Sequence, residues 1–230
     1  MEIVGNIKCK LRLALRKLKD LNAGIIFCKE SAVPKLEHKS KMTQPILPSE
    51  SFAEKQYNLK YVAKLIEKFV IYPGEVFSFW EIVGNPKHLK SSRCIRNNTI
   101  TKEQGGGICQ AAGIIYYLSL ISGLKIKERH NHSVDIYGDG PRACPIGLDA
   151  TVSYGYKDLR IYNDTDAILQ FRLSVTDNEL CAELHSSKKL PVREIFVEKS
   201  NDKNMIFVKT YYSDTLELIA DNVYKRSSSY

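Results

Sequence analysis

The chain has 230 residues, of which 43% are apolar and 26% are charged, a mixture typical of a globular protein with a substantial buried core. No uninterrupted run of about 18 apolar residues occurs, which excludes a membrane-spanning helix. The net charge of +8 favours nucleic acid, acidic lipid headgroups or anionic wall polymers as partners, or else reflects a solvated basic surface. Of these partners, we do not expect nucleic acid.

The cysteines are spread along the chain without a CxxC pair or a compact framework: Cys9, Cys28, Cys94, Cys109, Cys144 and Cys181. In a chain of this length they are predicted to be mostly reduced thiols. The N-terminus carries Glu2, and the basic stretch after it never leads into an apolar segment with a cleavage site. No secretory signal is therefore predicted, and we expect a cytoplasmic or peripherally membrane-associated protein.

The first predicted element is a basic amphipathic helix. Its apolar residues recur at helical spacing: Ile7, Leu11, Ala14, Leu15, Leu18 and Leu21. Such a stripe usually packs on the rest of the domain, and we favour that interpretation. The alternative is that residues 7–25 lie on an anionic membrane surface.

Residues 31–52 contain Pro34, Pro45 and Pro48 and few large apolar side chains, which predicts a linker or an extended surface segment. The compact domain is expected to begin near its end. The sequence is therefore divided into an amphipathic helix with a linker, a main domain and a C-terminal extension, at residues 1–50, 51–200 and 201–230.

A second helix is predicted before the turn at 72–74, with Tyr57, Tyr61, Leu65, Ile66 and Phe69 on one side, and a short strand follows at 75–80. Residues 108–122 are apolar and free of proline, which predicts a buried helix ended by Gly123. Later segments rich in β-branched and aromatic residues predict strands at 125–129, 132–137, 150–154, 159–162, 168–175, 180–184 and 193–198. This order indicates an α+β fold, in which the buried helix packs on an antiparallel sheet.

The stretch Gly105, Gly106, Gly107, Ile108, Cys109, Gln110 leads into the buried helix. Three successive glycines cost conformational entropy, so they indicate a sharp turn or a close backbone approach. Cys109 falls in the first helical turn, where the positive end of the helix favours a thiolate and unpaired N–H groups can bind an oxyanion. The alternative is a small buried cysteine at the start of a core helix.

The segment 128–133 supplies His130 and His132, which would share one face if the segment is a strand. A neutral imidazole near Cys109 can take its proton, as in cysteine catalysis. Asp149, Asp158 and Asn163 are candidates to orient the histidine, and Asp149 is preferred although aspartate also serves turns.

A metal site is the competing interpretation. Cys109, His130, His132 and Cys144 are plausible zinc ligands. Their spacing matches no common finger or ribbon, and a cysteine behind three glycines suits anion binding better. We therefore predict no metal and no other cofactor.

Several blocks of this sequence together resemble the VanW family: 73–79, 105–110, 128–133, 147–152 and 158–163. The resemblance runs from about residue 57 to about residue 185. Some members of this family are understood to be L,D-transpeptidases that form 3-3 cross-links in peptidoglycan through the motif cysteine. The resemblance implies that Cys109 attacks the carbonyl before the terminal D-alanine of a stem tetrapeptide, giving a thioester that a second amine resolves.

The predicted function is therefore cysteine-dependent acyl transfer on peptidoglycan stem peptides or their precursors, linked to wall metabolism or vancomycin resistance. Cys109, His130, His132 and Asp149 are the candidate catalytic residues. The candidates for substrate and oxyanion binding are Gly105, Gly106, Gly107, Gln110 and Arg129. A helix-borne cysteine facing a histidine is papain-like by analogy. The alternatives are a non-catalytic module that binds peptidoglycan or a precursor, and a metal-binding structural protein.

Overall fold

The computed structural model describes residues 2–96, 99–138 and 140–226. Its helices are α1 (Glu2–Asn22), α2 (Phe52–Ile66), α3 (Phe79–Val83) and α4 (Cys109–Ile121). Its strands are β1 (Lys29–Glu30), β2 (His38–Pro45), β3 (Phe69–Val70), β4 (Val76–Ser78), β5 (Ser91–Arg96), β6 (Thr99–Gln104), β7 (Lys125–Glu128), β8 (Val134–Asp135), β9 (Arg160–Tyr162), β10 (Leu169–Val175), β11 (Glu179–Ser186), β12 (Ile195–Asp202), β13 (Met205–Tyr212) and β14 (Leu218–Arg226). The predicted α+β class is confirmed.

The buried central helix is α4, within one residue of its predicted bounds at either end. It packs on β2 and β11 of one antiparallel sheet and on β7 of another. Several of its side chains are almost fully buried: Ile114, Ile115, Tyr116, Leu118 and Leu120. Each such burial contributes about 1.5–3 kcal/mol, so packing determines where α4 lies. Gly123 ends the helix at φ +70°, as predicted.

In the described ranges the strands form three larger sheets and two two-stranded ones, β1 with β3 and β5 with β6. One has the antiparallel order β10, β11, β2, and a second has the order β4, β9, β7. The third has the order β12, β13, β14, β8, with a parallel pair between β14 and β8. Because β8 follows the histidine segment, this last pair joins the C-terminal strands to the region of the candidate site.

Several segments differ from the sequence interpretation. The predicted linker contains β2, which pairs with β11 along eight residues, so backbone pairing holds a segment that has few large apolar side chains. Residues 150–154 form only an isolated bridge, and the predicted strand 132–137 shrinks to β8. Residues 201–226 lie largely in strands, because Ile206, Val208 and Thr210 alternate inward with outward residues.

The prediction that the apolar stripe of α1 packs on the domain is wrong. The helix docks through its opposite face, where Asp20 binds Arg160 at 2.6 Å and Arg16 binds Glu128 at 2.5 Å. Ion pairs and a close contact with the turn at Gly155, rather than packing of the apolar stripe, therefore hold α1 on the domain. None of the helices in the described ranges has the length and apolar character that crossing a bilayer requires.

Candidate active site

The structure explains why three glycines precede α4. Gly105 and Gly107 have φ values of +81° and +88°, which side-chain-bearing residues rarely adopt. Gly106 lies against β5, so that a Cβ atom on it would be only 2.1 Å from the carbonyl oxygen of Ser92. The buried amide of Asn58 donates to the Gly106 carbonyl at 3.0 Å. The turn that presents Cys109 is therefore fixed by glycine conformation and by close packing.

The glycine N–H groups are mostly occupied. Gly105 donates to the Lys90 carbonyl at 3.1 Å, and Gly106 donates to the Glu103 carbonyl at 3.0 Å. The Gln110 side chain donates to the Pro45 carbonyl at 2.9 Å. The backbone N–H of Cys109 has no hydrogen-bond partner within the described ranges. Of the predicted oxyanion donors, the first helical turn therefore offers this group, whereas Gly105, Gly106 and the Gln110 amide hold the turn in place.

Cys109 is partly exposed and lies against the segment that follows Asp149. Its sulfur is 3.5 Å from the Thr151 hydroxyl oxygen and 3.7 Å from the Val152 carbonyl oxygen. Burial opposes ionisation, but the hydrogen bond and the charge of His132 outweigh it and hold the pKa of the Cys109 thiol below its usual value. His132 is therefore the main group that lowers the pKa of this thiol.

His132 is held by Asp149 at two points. Its Nδ1 is 2.6 Å from Oδ2 of Asp149, and its backbone N–H donates to the same oxygen at 2.8 Å. Burial alone would lower the histidine pKa, but Asp149 and Cys109 together raise it to about 10. Burial alone would likewise raise the pKa of Asp149, which His132 and Arg129 instead hold well below its usual range. The geometry therefore favours a thiolate, an imidazolium and a carboxylate in series.

The second histidine has a different environment. Nε2 of His130 is 3.0 Å from Oε1 of Glu128, and its carbonyl accepts a hydrogen bond from Thr151 N–H at 2.8 Å. Residues 129–132 are not a strand, so the expectation that both rings share a face does not apply. The structure brings His132 to Cys109 and pairs His130 with Glu128.

The other oxygen of Asp149 binds a second set of residues. Tyr224 donates its hydroxyl to Oδ1 at 2.6 Å, and a nitrogen of Arg129 lies 3.2 Å from the same atom. Arg129 also donates to the carbonyl of Asp149 at 2.8 Å and to the side chain of Asn222. Arg129 therefore holds Asp149, and the structure does not place it as an oxyanion donor.

Tyr224 and Asn222, which lie on β14, carry no local sequence signal that marks them as site residues. The available signal was the alternation of apolar and polar residues in 205–212, which predicts the strand beside β14. Even that strand would not have placed a tyrosine on Asp149, because the contact joins residues 75 positions apart.

The other candidate orienting residues lie elsewhere. Asp158 accepts the Ser78 hydroxyl at 2.6 Å and the Arg160 guanidinium at 3.0 Å. Asn163 donates to the carbonyls of Ile71 and Ala167 at 3.1 Å and 2.8 Å. Both side chains are buried and serve turns and strand ends, so Asp149 is the residue that meets a histidine beside Cys109.

The proposed metal ligands do not converge. Cys144 donates to the Leu148 carbonyl at 3.0 Å, and His130 pairs with Glu128. Within the described ranges, no three histidine, cysteine, aspartate or glutamate side chains form a group suited to a metal ion. The described geometry thus gives the zinc interpretation no support.

Comparison with known proteins identifies the family. The family model described as VanW like protein matches residues 54–185, which is more than half of the chain. The chain belongs to the VanW family. The matched VanW region runs from α2 to β11 and includes Cys109, His132 and Asp149. Tyr224 and the docking face of α1 lie outside it.

Two curated relatives are similar over this VanW region. Vancomycin B-type resistance protein VanW of Enterococcus faecalis is 33% identical over 139 residues, covering 59% of this chain and 50% of that protein. Uncharacterized protein YoaR of Bacillus subtilis is 31% identical over 136 residues, covering 58% of this chain and 43% of that protein. The chain therefore spans about half the length of these relatives. No solved structure matches.

The lowered thiol pKa predicts selective alkylation. At pH 6 we expect iodoacetamide to modify Cys109 at least about tenfold faster than any other cysteine, because each unit of pKa changes the thiolate fraction tenfold. Burial raises the pKa of both Cys28 and Cys144 to about 12, so these thiols provide the slow reference. Peptide mass spectrometry measures the rates, and equal rates at all six cysteines would contradict an activated Cys109.

Replacing Gly106 with alanine should destabilise the turn before α4. The added methyl group would lie 2.1 Å from the carbonyl oxygen of Ser92, and backbone atoms cannot move apart as easily as the end of a flexible side chain. We therefore expect the free energy of unfolding, measured in urea, to fall by about 3 kcal/mol. Gly113→Ala is the matched control within α4, because its Cβ would have only ordinary contacts of 3.5 Å or more. Equal stability of the two variants would show that Gly106 is not required by packing.

Proposed function

We propose that this VanW-family protein is a cysteine-dependent acyltransferase acting on peptidoglycan stem peptides in the manner of an L,D-transpeptidase. The observation that carries the proposal is the series Cys109, His132 and Asp149, in which the thiol of a half-buried cysteine has a lowered pKa and adjoins an imidazole held by a carboxylate. A thiolate beside an oriented imidazolium is the arrangement used for covalent catalysis at carbonyls.

The proposed first half-reaction forms a thioester. The Cys109 thiolate attacks the carbonyl carbon before the terminal D-alanine of a stem tetrapeptide, and the carbonyl oxygen becomes an oxyanion beside the Cys109 N–H. The carbon–nitrogen bond then breaks. His132 gives its Nε2 proton to the leaving amine, so that free D-alanine departs while the acyl group stays on sulfur.

The second half-reaction restores the enzyme. The amine of a second stem peptide attacks the thioester, and neutral His132 accepts its proton. The sulfur leaves as a thiolate and a new amide links the two peptides. Asp149 keeps Nδ1 of His132 occupied throughout, so that Nε2 faces the reacting atoms. The arrangement is papain-like in its use of a cysteine at a helix start and a histidine from another segment.

The relative from Enterococcus faecalis is named as a vancomycin resistance protein. We extend a link to wall metabolism or vancomycin resistance to this chain as part of the same proposal. The family resemblance supports the substrate class, and the described geometry supports the chemistry.

Intact-protein mass spectrometry with a synthetic stem tetrapeptide tests the proposal. We expect a mass increase equal to the acyl fragment without D-alanine, loss of that adduct when an acceptor amine is added, and no adduct for Cys109→Ser. Cys181→Ser is the matched control, since this thiol lies in the sheet strand β11 away from His132. Peptide binding without any adduct would instead favour a non-catalytic binding module.

A further inference from the structure

The helix α1 has two faces with opposite properties. Its docked face carries Cys9, Leu13, Arg16 and Asp20, which are partly or fully buried. Asp20 receives two nitrogens of Arg160 at 2.6 Å and 2.9 Å, and Arg16 reaches Glu128. The helix is also seated closely on the turn at Gly155, where an added Cβ would lie 2.6 Å from the Cys9 sulfur. These contacts fix which side of α1 faces the domain.

The opposite face is apolar and uncovered. Its large side chains keep between 50% and 78% of their surface exposed: Ile7, Leu11, Leu15, Leu18 and Leu21. At 100° per residue these positions centre about 180° from the docked face, so the fold turns the stripe directly away from the domain. A contiguous apolar surface of this kind marks an interaction site rather than scattered exposure.

The charges around this stripe have one sign. Lys10 and Lys17 border it on one side, and Lys8 and Lys19 border it on the other, all of them exposed. The only carboxylate of residues 7–22 is Asp20, and Arg160 neutralises it on the docked face. The outward half of the helix over these residues therefore presents leucine and isoleucine between two rows of ammonium groups.

We propose that α1 holds the protein on an anionic lipid surface, lying in the plane of the interface with its apolar stripe in the acyl boundary. Leucine side chains enter the boundary while the bordering lysines extend to acidic headgroups. The lysines near such a surface add electrostatic attraction to the burial of the apolar side chains. This inference does not rest on the proposed catalytic function.

Charge argues for lipid over a second copy of the chain. Two copies meeting through these stripes would bring their lysine rows together, and like charges across an interface disfavour association. An anionic bilayer meets both features at once, since it offers apolar depth below negative headgroups. The anchoring ion pairs on the other face leave the domain attached beneath the helix.

Vesicle co-sedimentation of the full chain tests the inference. We expect binding to phosphatidylcholine vesicles containing about 30% phosphatidylglycerol, much weaker binding to pure phosphatidylcholine, and weakening by salt. The variant Leu11→Glu/Leu18→Glu should lose about tenfold or more of the binding, because it places charge in the acyl boundary. These residues are exposed, so circular dichroism should show an unchanged fold.

The matched control places the same charges on other exposed apolar residues, as Val192→Glu/Leu218→Glu, and it should bind like the wild type apart from a modest charge effect. Three results would overturn the inference: absence of binding to the anionic vesicles, equal loss in the control, or full binding by the stripe variant. Sedimentation velocity adds a fourth, namely a wild-type dimer that the Leu11→Glu/Leu18→Glu variant converts to monomer.

Discussion

Replacing His132 with alanine is expected to slow alkylation of Cys109 at pH 6 by about tenfold or more, because a cysteine that loses its charged imidazole partner has a smaller thiolate fraction. Without the imidazolium, burial dominates and the pKa of the Cys109 thiol rises above its usual value. Acyl transfer should fall by a further factor of about 10²–10⁴ for the lost proton transfer. Iodoacetamide rates across a pH series measure the first effect.

His130→Ala is the matched control for this experiment. The two histidines are two residues apart, but His130 pairs with Glu128 and has no described contact with the thiol. We therefore expect a wild-type alkylation profile from His130→Ala. If that variant lost the low-pH reactivity while His132→Ala kept it, the assignment of the two rings would be reversed.

The pKa shifts of His132 and Cys109 determine the pH range in which the thiolate–imidazolium pair is present. The His132 pKa of about 10 keeps the ring protonated through neutral pH, and the lowered Cys109 pKa keeps the sulfur ionised. The thiolate–imidazolium pair is therefore present between these two values. It is lost to thiol protonation below that window and to imidazolium deprotonation as pH rises through about 10.

Replacing Asp149 with asparagine should have the second large effect. The His132 pKa is expected to fall from about 10 toward its ordinary 6.5, because the carboxylate is the main group that raises it. Arg129, almost fully buried, would also lose its charged partner, so we expect a stability loss of about 3–5 kcal/mol. Imidazole NMR titration and urea unfolding measure the two quantities.

Tyr224→Phe separates these two consequences. It removes one hydrogen bond to Oδ1 of Asp149 and leaves the charge in place, so we expect a loss of about 1–2 kcal/mol and a His132 pKa that stays well above 6.5. An unchanged His132 pKa in Asp149→Asn would show that another group holds the imidazole. In that case the series Cys109, His132 and Asp149 would not operate as described.

Local signals predicted α4 and the glycine turn before it correctly. A proline-free apolar run between a glycine turn and Gly123 predicts a buried helix, because a helix that is apolar on most sides must be buried and commonly ends at a residue in the left-handed conformation. The position of Cys109 in the first helical turn follows from the same pattern. The α2 helix was also placed correctly, but its buried face was not: Tyr57 is 41% exposed, whereas Asn58 and Leu59 are buried.

Features that depend on distant partners were not predictable in the same way. The local sequence of β2 predicts a linker because its pairing partner β11 lies more than 130 residues away, and edge pairing leaves little local pattern. The direction in which α1 faces depended on Arg160 and Glu128, which no periodicity within the helix reveals.

The amino-acid sequence by itself determined the helical and extended segments with strong periodicity and the glycine turn before α4, and it predicted that Cys109, a histidine and Asp149 lie together. Only the tertiary structure decided that His132 rather than His130 meets the thiol, that Arg129 and Tyr224 hold Asp149, and that α1 turns its leucines outward. The physical reason is that short-range patterns record which face of an element is apolar, whereas the partner of a polar side chain is set by long-range packing.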